Sequence, residues 1–435
     1  MEEKDKKEEK EYLKAANKSA ELALEYHSRY QGKIDVGLKA PVRSYDDFAI
    51  WYTPGVAVPS RAIQKNRARV YEYTNKGNFV AIVTDGTRVL GLGDVGAEAA
   101  LPVMEGKAML FKYLGGVDAF PLCLATTDVE EIINVVKSIA PTFGGINLED
   151  IESPKCYYLL ERLREELTMP VWHDDQQGTA LVILAGLINA LKVVGKSLSE
   201  VTVSLIGAGA ANINVAKYMH IAGVKWENMI TVDSKGILNA EREDVKADKT
   251  KWEISEKTNK EGRSGGIAEA MRDTDVCIAL STPGPGVIKE EWVAHMADNA
   301  IVFAGANPVP EIWPWEAEAG GAKIFATGRS DFKNQINNSL GFPAVFRGAL
   351  DVRASGITDE MCIAAAYAIA RYAEGKGVSE DYIIPRMEER EMYVCEAVAV
   401  GTKAIEQRVA EKKMSAGELE EEVRKRIFTK TAKTF

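Results

Sequence analysis

VTVSLIGAGAAN, residues 201–212, runs a β-branched apolar segment straight into a glycine-rich turn, and NVAKYMHIAG (214–223) continues from it with helical spacing. Strand, glycine turn and helix in that order form the first part of a βαβ unit. MITVD (229–233) reads as the next strand and ends on a carboxylate, Asp233. A helix that starts at such a turn offers free N–H groups and its positive dipole end to a pyrophosphate, and a carboxylate ending the following strand accepts from ribose hydroxyls. Gly207, Gly209, Ala210, Ala211 and Asn212 are therefore read as a dinucleotide loop, with Asp233 and Ser234 at the ribose. Asn212 stands at the third glycine position, where it is expected to loosen the approach of helix to strand. GLGDVG supplies a literal G-x-G-x-x-G at Gly91, Gly93 and Gly96, but that lone match reads as a tight turn.

Downstream, DVCIALS (275–281), AIVFAGANP (300–308) and KIFATG (323–328) alternate with helical stretches, so 196–345 is expected to be a doubly wound, Rossmann-type NAD(P)-binding domain. Upstream, FVAIVTD (79–85), VDAFPLCLA (117–125) and MPVWHDD (169–175) also alternate with helical stretches, and 1–195 is read as an N-terminal α/β substrate and metal domain. TALVILAGLINALKVV (179–194) is apolar on nearly all sides and predicts a buried helix, which GKSLSE breaks. YLKAANKSAELALEYHSRY (12–30) predicts an opening helix behind a charged tip. The segment 346–435 is almost wholly helical in pattern, expected to pack back on the first domain or on a second subunit, with ELEEEVRKR (418–426) as a solvated helix. No repeat period is evident.

With 46% apolar and 27% charged side chains, the 435-residue chain can bury more than one core. Its net charge of -10 argues against nucleic acid or an anionic membrane as a partner. The N-terminus has no apolar signal region, and no segment carries the roughly 18 uninterrupted apolar residues of a membrane span. A cytoplasmic location is expected. Five dispersed cysteines without a C-x-x-C pair read as reduced, buried thiols, and the spacing of four scattered histidines argues against a zinc site.

Two acidic pairs follow strand-like runs: Glu149 and Asp150 in GGINLEDI (144–151), and Asp174 and Asp175 in HDDQQGTA (173–180). Neighbours on a regular strand face opposite ways, so each pair can converge on one ion only at a strand end or in a loop. Carboxylates without cysteine or clustered histidine suit Mg²⁺ or Mn²⁺.

The chain resembles the malic enzymes, especially the short bacterial and archaeal type, in blocks that run in order over nearly its whole length. They are GKIDVGLKAPV, YTPGVAVPS, VTDGTRVLGLGDVG, LPVMEGKAMLFK, GGINLEDI, HDDQQGTA, the GAGAAN loop, ANPVPEI and NNSLGFPAVFRGALD. The resemblance implies that Tyr52 and Lys107 are the acid-base pair and that Glu149, Asp150 and Asp175 ligate the metal. Asp174 would support proton relay by Lys107. Arg88 would hold a substrate carboxylate, and Asn307 and Asn338 would contact substrate or nicotinamide, with Asn337 as a further candidate. A divalent cation beside Lys107 would disfavour its ammonium form and lower its pKa toward that of a working base. The implied reaction converts L-malate to pyruvate and carbon dioxide with reduction of NAD(P), in a homodimer or higher homo-oligomer. Asp233 favours NAD, while Ser234 and Lys235 leave NADP open. Malolactic turnover, malate to lactate with bound NAD, stays open as a rival. A catalytically silent nucleotide-binding relative would be expected to have lost Tyr52, Lys107 or a ligand carboxylate, and all are present.

Overall fold

The computed structural model describes residues 22–89, 91–329 and 331–428. The charged tip and the first half of the expected opening helix lie outside the described residues; 22–30 are helical. The segments FVAIVT, DAFPLC, GINL and VWH become β1 (Phe79–Thr84), β2 (Asp118–Cys123), β3 (Gly145–Leu148) and β4 (Val171–His173). They pair in parallel in the order β2-β1-β3-β4. Val80 to Val83 of β1 are wholly buried, because a parallel sheet is covered by helices on both faces and cannot alternate apolar with polar.

The second sheet comprises β5 (Val203–Ile206), β6 (Met229–Asp233), β7 (Gly236–Ile237), β8 (Val276–Ala279), β9 (Ile301–Ala304) and β10 (Ile324–Thr327). Its order is β10-β9-β8-β5-β6-β7. All pairs are parallel except β6 with the two-residue β7. The order reverses between β5 and β8, and such a switch point opens a crevice at the carboxyl ends of the strands.

Of the helices, α1 (Ala97–Gly115) packs on the first sheet, α2 (Thr179–Val194) links the two sheets, and α3 (Ala210–Ala222) follows β5. Every residue of α2 from Ala180 to Leu191 is buried, and Gly195, in the left-handed region, ends the helix where the sequence places its break. Together with the turn before it, α2 is long and apolar enough to cross a bilayer, but it is the core of this fold.

The chain then returns. Helices α4 (Phe342–Asp351), α5 (Asp359–Lys376), α6 (Arg390–Glu406) and α7 (Ala416–Phe428) follow the second sheet. Phe342 and Phe346 of α4 lie 4.6 and 5.3 Å from the Phe111 ring of α1, each contributing roughly 2 kcal/mol of burial. Asn189 of α2 donates to the backbone oxygens of Ala370 and Ile383, both at 2.9 Å. The helical tail thus docks on the first domain of the same chain. Buried Arg347, paired with Asp351 at 2.8 Å within α4, crosses the join by donating to Asn78 Oδ1. Helix α7 is solvated on one face only, since Leu419, Val423 and Ile427 form a buried stripe at helical spacing.

All five cysteines are free thiols, but only Cys156, Cys277 and Cys362 are buried. Cys395 is exposed and Cys123 half-buried, which corrects the expectation for those two.

Candidate active site

Parallel strands deliver their following loops to one edge, and in the first sheet that edge gathers carboxylates. Because β3 and β4 are direct neighbours, Glu149 and Asp150 beyond one strand lie beside Asp174 and Asp175 beyond the other. Asp150 takes a left-handed conformation (φ 53°), uncommon for a residue with a side chain, and its N–H donates to Asp175 Oδ2 at 2.9 Å. One oxygen each from Glu149, Asp150 and Asp175 lies within 4.8 Å of the others. In an octahedral site with metal–oxygen distances near 2.1 Å, ligand oxygens stand about 3 to 4 Å apart, so this all-oxygen set suits Mg²⁺ or Mn²⁺. Burial, reinforced by Asp174, Asp175 and Asp150, holds the Glu149 pKa well above the ordinary carboxylate range despite Lys107. A cation between these groups would relieve that cost.

Lys107 projects from α1 into the same pocket. Its Nζ donates to Glu149 Oε1 at 2.9 Å and to Asp174 Oδ2, and lies 4.0 Å from the centre of the Phe342 ring. Asp174 accepts in turn from Trp172 Nε1 at 3.0 Å and from Asn338 Nδ2. Burial by itself would lower the lysine pKa, but Asp174 and Glu149 outweigh it and hold the ammonium form above its usual range. The lowering expected from the sequence is that of a lysine whose neighbouring carboxylates hold a divalent cation, which claims their charge.

A wide helical turn at Asp174–Gly178, looser than an α-turn, lets both aspartates leave the end of β4 pointing inward. Gly178 is required by space, since a Cβ there would lie 2.1 Å from Asp174 Oδ1. His173 is buried behind them, and burial pushes its pKa down to about 4. The backbone N–H of Arg88 donates to the Asp150 carbonyl at 3.0 Å, and its exposed guanidinium acts favourably on the Asp175 charge. Tyr52 is different. It caps the short helix Asp47–Trp51, is 70% exposed, and hydrogen-bonds none of these groups with its side chain among the described residues.

From the second sheet come the amides. Asn338 opens a short turn and reaches Asp174, whereas Asn337 caps that turn through Ser339 N at 3.0 Å and so has a structural task. Asn307 precedes a cis proline, its Nδ2 3.5 Å from the Gly305 carbonyl. The GLGDVG segment is a tight turn, with Gly91, Gly93 and Gly96 all at positive φ. Its first glycine also permits a close approach, because a Cβ on Gly91 would lie 2.5 Å from the Asn307 carbonyl oxygen.

At the switch point, Gly207 (φ 102°) would place a Cβ 2.6 Å from the Leu280 carbonyl after β8. Gly209 caps α3 without a side chain and faces open space, with Ala210 and Ala211 forming the first turn. That uncapped helix start fits a pyrophosphate. Asn212 corrects the sequence expectation: it is buried and donates to the Ile206 and Gly207 carbonyls at 2.9 and 2.8 Å, tying helix to strand instead of loosening them. Asp233 does end β6, but both its oxygens receive Arg242, at 2.8 and 3.1 Å. Ser234 is exposed.

Residues 31–164 match the malic enzyme N-terminal domain, and 176–407 match the malic enzyme NAD binding domain. The chain belongs to the malic enzyme family. It is 48% identical to the bifunctional malic/malolactic enzyme of Bacillus subtilis (strain 168), over 93% of this chain and 98% of that one. To the NAD-dependent malic enzyme of Geobacillus stearothermophilus it is 52% identical, over 81% and 73%. The crystal structure of the Pyrococcus horikoshii malic enzyme superposes with a TM-score of 0.88 at 54% identity, covering 91% of this chain and 92% of that one. The Entamoeba histolytica malic enzyme gives 0.92 at 47%, covering 94% and 86%.

Several residues of this malic enzyme pocket escaped the reading of the sequence. Phe342 lies against Lys107, Trp172 holds Asp174, and Asn147 donates to Glu149 Oε2 at 2.8 Å. Glu311, wholly buried, accepts from Ser281 N at 2.8 Å and Ala306 N at 3.0 Å, stapling the loops that follow β8 and β9. Trp172 had a signal, since it lies two residues before Asp174 and so on the same strand face. Glu311 had only its apolar surroundings in ANPVPEIW.

Proposed function

We propose that this protein is a divalent-metal-dependent malic enzyme that converts L-malate and NAD(P)⁺ to pyruvate, carbon dioxide and NAD(P)H. The observation that carries the reading is Lys107, buried and held by Glu149 and Asp174 at the edge of a three-carboxylate cluster. A cation held by Glu149, Asp150 and Asp175 supplies Lewis acidity toward substrate oxygens. Lys107, once neutral, takes the C2 hydroxyl proton as malate is oxidised, and Asp174 holds its Nζ in line for the transfer. Arg88 offers a guanidinium fork to a substrate carboxylate, and Asn307 and Asn338 offer amides that orient substrate and nicotinamide. After carbon dioxide leaves, C3 takes a proton, for which Tyr52 is the proposed donor.

An exposed Tyr52 belongs to a wider surface. Val36, Leu38, Tyr45, Ile50 and Val58, which flank it in the sequence, are all exposed apolar side chains, far more than a lone subunit usually leaves in one stretch. We read this as the contact of a homodimer or higher homo-oligomer, whose closure would also take the Tyr52 hydroxyl out of water. Light scattering should return at least twice the monomer mass.

The deciding assay uses L-malate, Mn²⁺ and either NAD or NADP, with pyruvate and lactate both quantified. Stoichiometric reduced cofactor and pyruvate support the reading. Lactate without net reduced cofactor would support malolactic turnover instead, a second reading favoured by the 48% identity to the bifunctional Bacillus enzyme.

A further inference from the structure

The end of β6 holds an ion-pair cluster that the proposed reaction does not use. Arg242 lays its guanidinium across two carboxylates: Nη1 and Nη2 donate to Asp233 at 2.8 and 3.1 Å, Nε and Nη2 to Asp244 at 3.1 and 2.8 Å. Nη1 also donates to the Gly236 carbonyl at 3.0 Å, which fixes the fork on the turn after β6. Lys251 approaches Asp233 to 3.7 Å, and Lys235, 67% exposed, pairs with Asp244 at 3.1 Å. Three cations face two carboxylates, so the cluster carries one positive charge in excess.

In a doubly wound sheet this is where the adenosine ribose arrives. A free carboxylate there accepts from a 2′-hydroxyl and repels a 2′-phosphate. Asp233 is not free, because the Arg242 fork cancels its charge. Asp233 Oδ1 is filled by Arg242 Nη1 and by the backbone N–H of Lys235 at 2.9 Å, but Oδ2 accepts from Arg242 Nη2 and keeps a lone pair for a hydroxyl donor, since a carboxylate offers about four acceptor positions. A 2′-hydroxyl therefore loses little, whereas the repulsion that would exclude a 2′-phosphate is gone. The Lys235 side chain, exposed and paired with Asp244, can turn toward that phosphate.

We propose that Arg242 is a specificity-determining residue that masks Asp233, so that the crevice takes 2′-phosphorylated and unphosphorylated nicotinamide dinucleotides alike. The proposal rests on reading the β5–β8 crevice as the dinucleotide site.

Binding of NADH and of NADPH, followed by calorimetry without malate or metal, tests it on the full chain. The wild type is expected to bind the two within about tenfold of each other. Arg242→Ala should weaken NADPH by a further tenfold or more while leaving NADH unchanged or tighter, because the bare Asp233 carboxylate then repels phosphate. Adding Asp233→Asn to that variant should recover most of the lost NADPH affinity. Asp233→Asn alone, which leaves the arginine fork free, should tighten NADPH severalfold and keeps the test alive if Arg242→Ala melts early. Equal weakening of both nucleotides in Arg242→Ala, or a wild type that excludes NADPH by a hundredfold or more, would overturn the masking role. Failure of the wild type to bind either nucleotide would instead overturn the crevice reading beneath it.

Discussion

The two strand edges of this molecule solve opposite electrostatic problems. At the edge of the first sheet, Lys107, Glu149, Asp150 and Asp174 are buried together, one cationic group among three carboxylates. At the edge of the second, Gly207 and Gly209 present backbone, and the charged groups beside them, Asp233 and Arg242, form pairs that reach the surface. A buried charge site is intolerant of losing any member, because each loss strands a partner in a low dielectric. A backbone site tolerates side-chain change and fails only where the main chain cannot keep its shape. Removing Lys107 should therefore be severe for turnover and silent for nucleotide, and altering Gly207 should do the reverse.

The largest effect separates the two edges outright. Lys107→Ala is expected to cut turnover by about 10²-fold or more, since it removes the proton acceptor, while NADH affinity stays within about twofold. An alanine variant keeping more than half of wild-type turnover would take Lys107 out of the chemistry.

Next comes the carboxylate cluster. Exhaustive dialysis against EDTA should abolish activity, and Mn²⁺ or Mg²⁺ should restore it. Glu149→Gln and Asp175→Asn should each raise the half-saturating Mn²⁺ concentration by about tenfold or more, because neutral amides bind hard cations weakly. Undiminished activity in chelator would refute the metal assignment.

Acid should expose the cost of burial at the first edge. His173 is buried neutral, with its pKa near 4, while the unfolded chain titrates near pH 6.5. Stability is then complete above about pH 6.5 and falls as the unfolded state takes up the proton, by about 2 kcal/mol at pH 5. Thermal melts of wild type and His173→Asn should differ in their pH dependence across pH 7 to 5, with the wild type losing more. Parallel curves would mean that His173 carries no such linkage.

The smallest effect belongs to the second edge. In Gly207→Ala, a residue at φ 102° would meet the Leu280 carbonyl at 2.6 Å, so NADH affinity should drop about tenfold, or roughly 1.4 kcal/mol. Half-saturating Mn²⁺ should not move. If it did, the two edges would be coupled and the contrast between them would need revision.

The contrast also explains what could be read in advance. The nucleotide crevice is built by contiguous sequence: a strand, two glycines and a helix start lie within VTVSLIGAGAAN, so the local pattern carries the site. The carboxylate pocket is assembled from residues far apart, and only the acidic pairs, one at a time, leave a local trace. For Tyr52 and Lys107 no periodicity distinguishes a reactive group from a surface one, and their roles came from resemblance in whole blocks. Trp172 left a faint sign in its spacing from Asp174, whereas Phe342, Glu311 and Arg242 left almost none, because each acts through a partner distant in sequence or in a turn of unknown shape.

By itself the sequence determined the strands, the buried helix at 179–194, the switch-point glycine loop and the family, since hydrophobic period and turn chemistry are local properties. Tertiary structure alone decided that β3 and β4 are neighbours, which is why Glu149 meets Asp175, and that α1 and α4 press Lys107 and Phe342 into one pocket. It also decided that Asn212 ties its loop, that Arg242 covers Asp233, and that Tyr52 stands in water within a single chain. Whether a charge is buried, paired or exposed depends on which distant segments fold against it, and that information is carried by no single stretch of the chain.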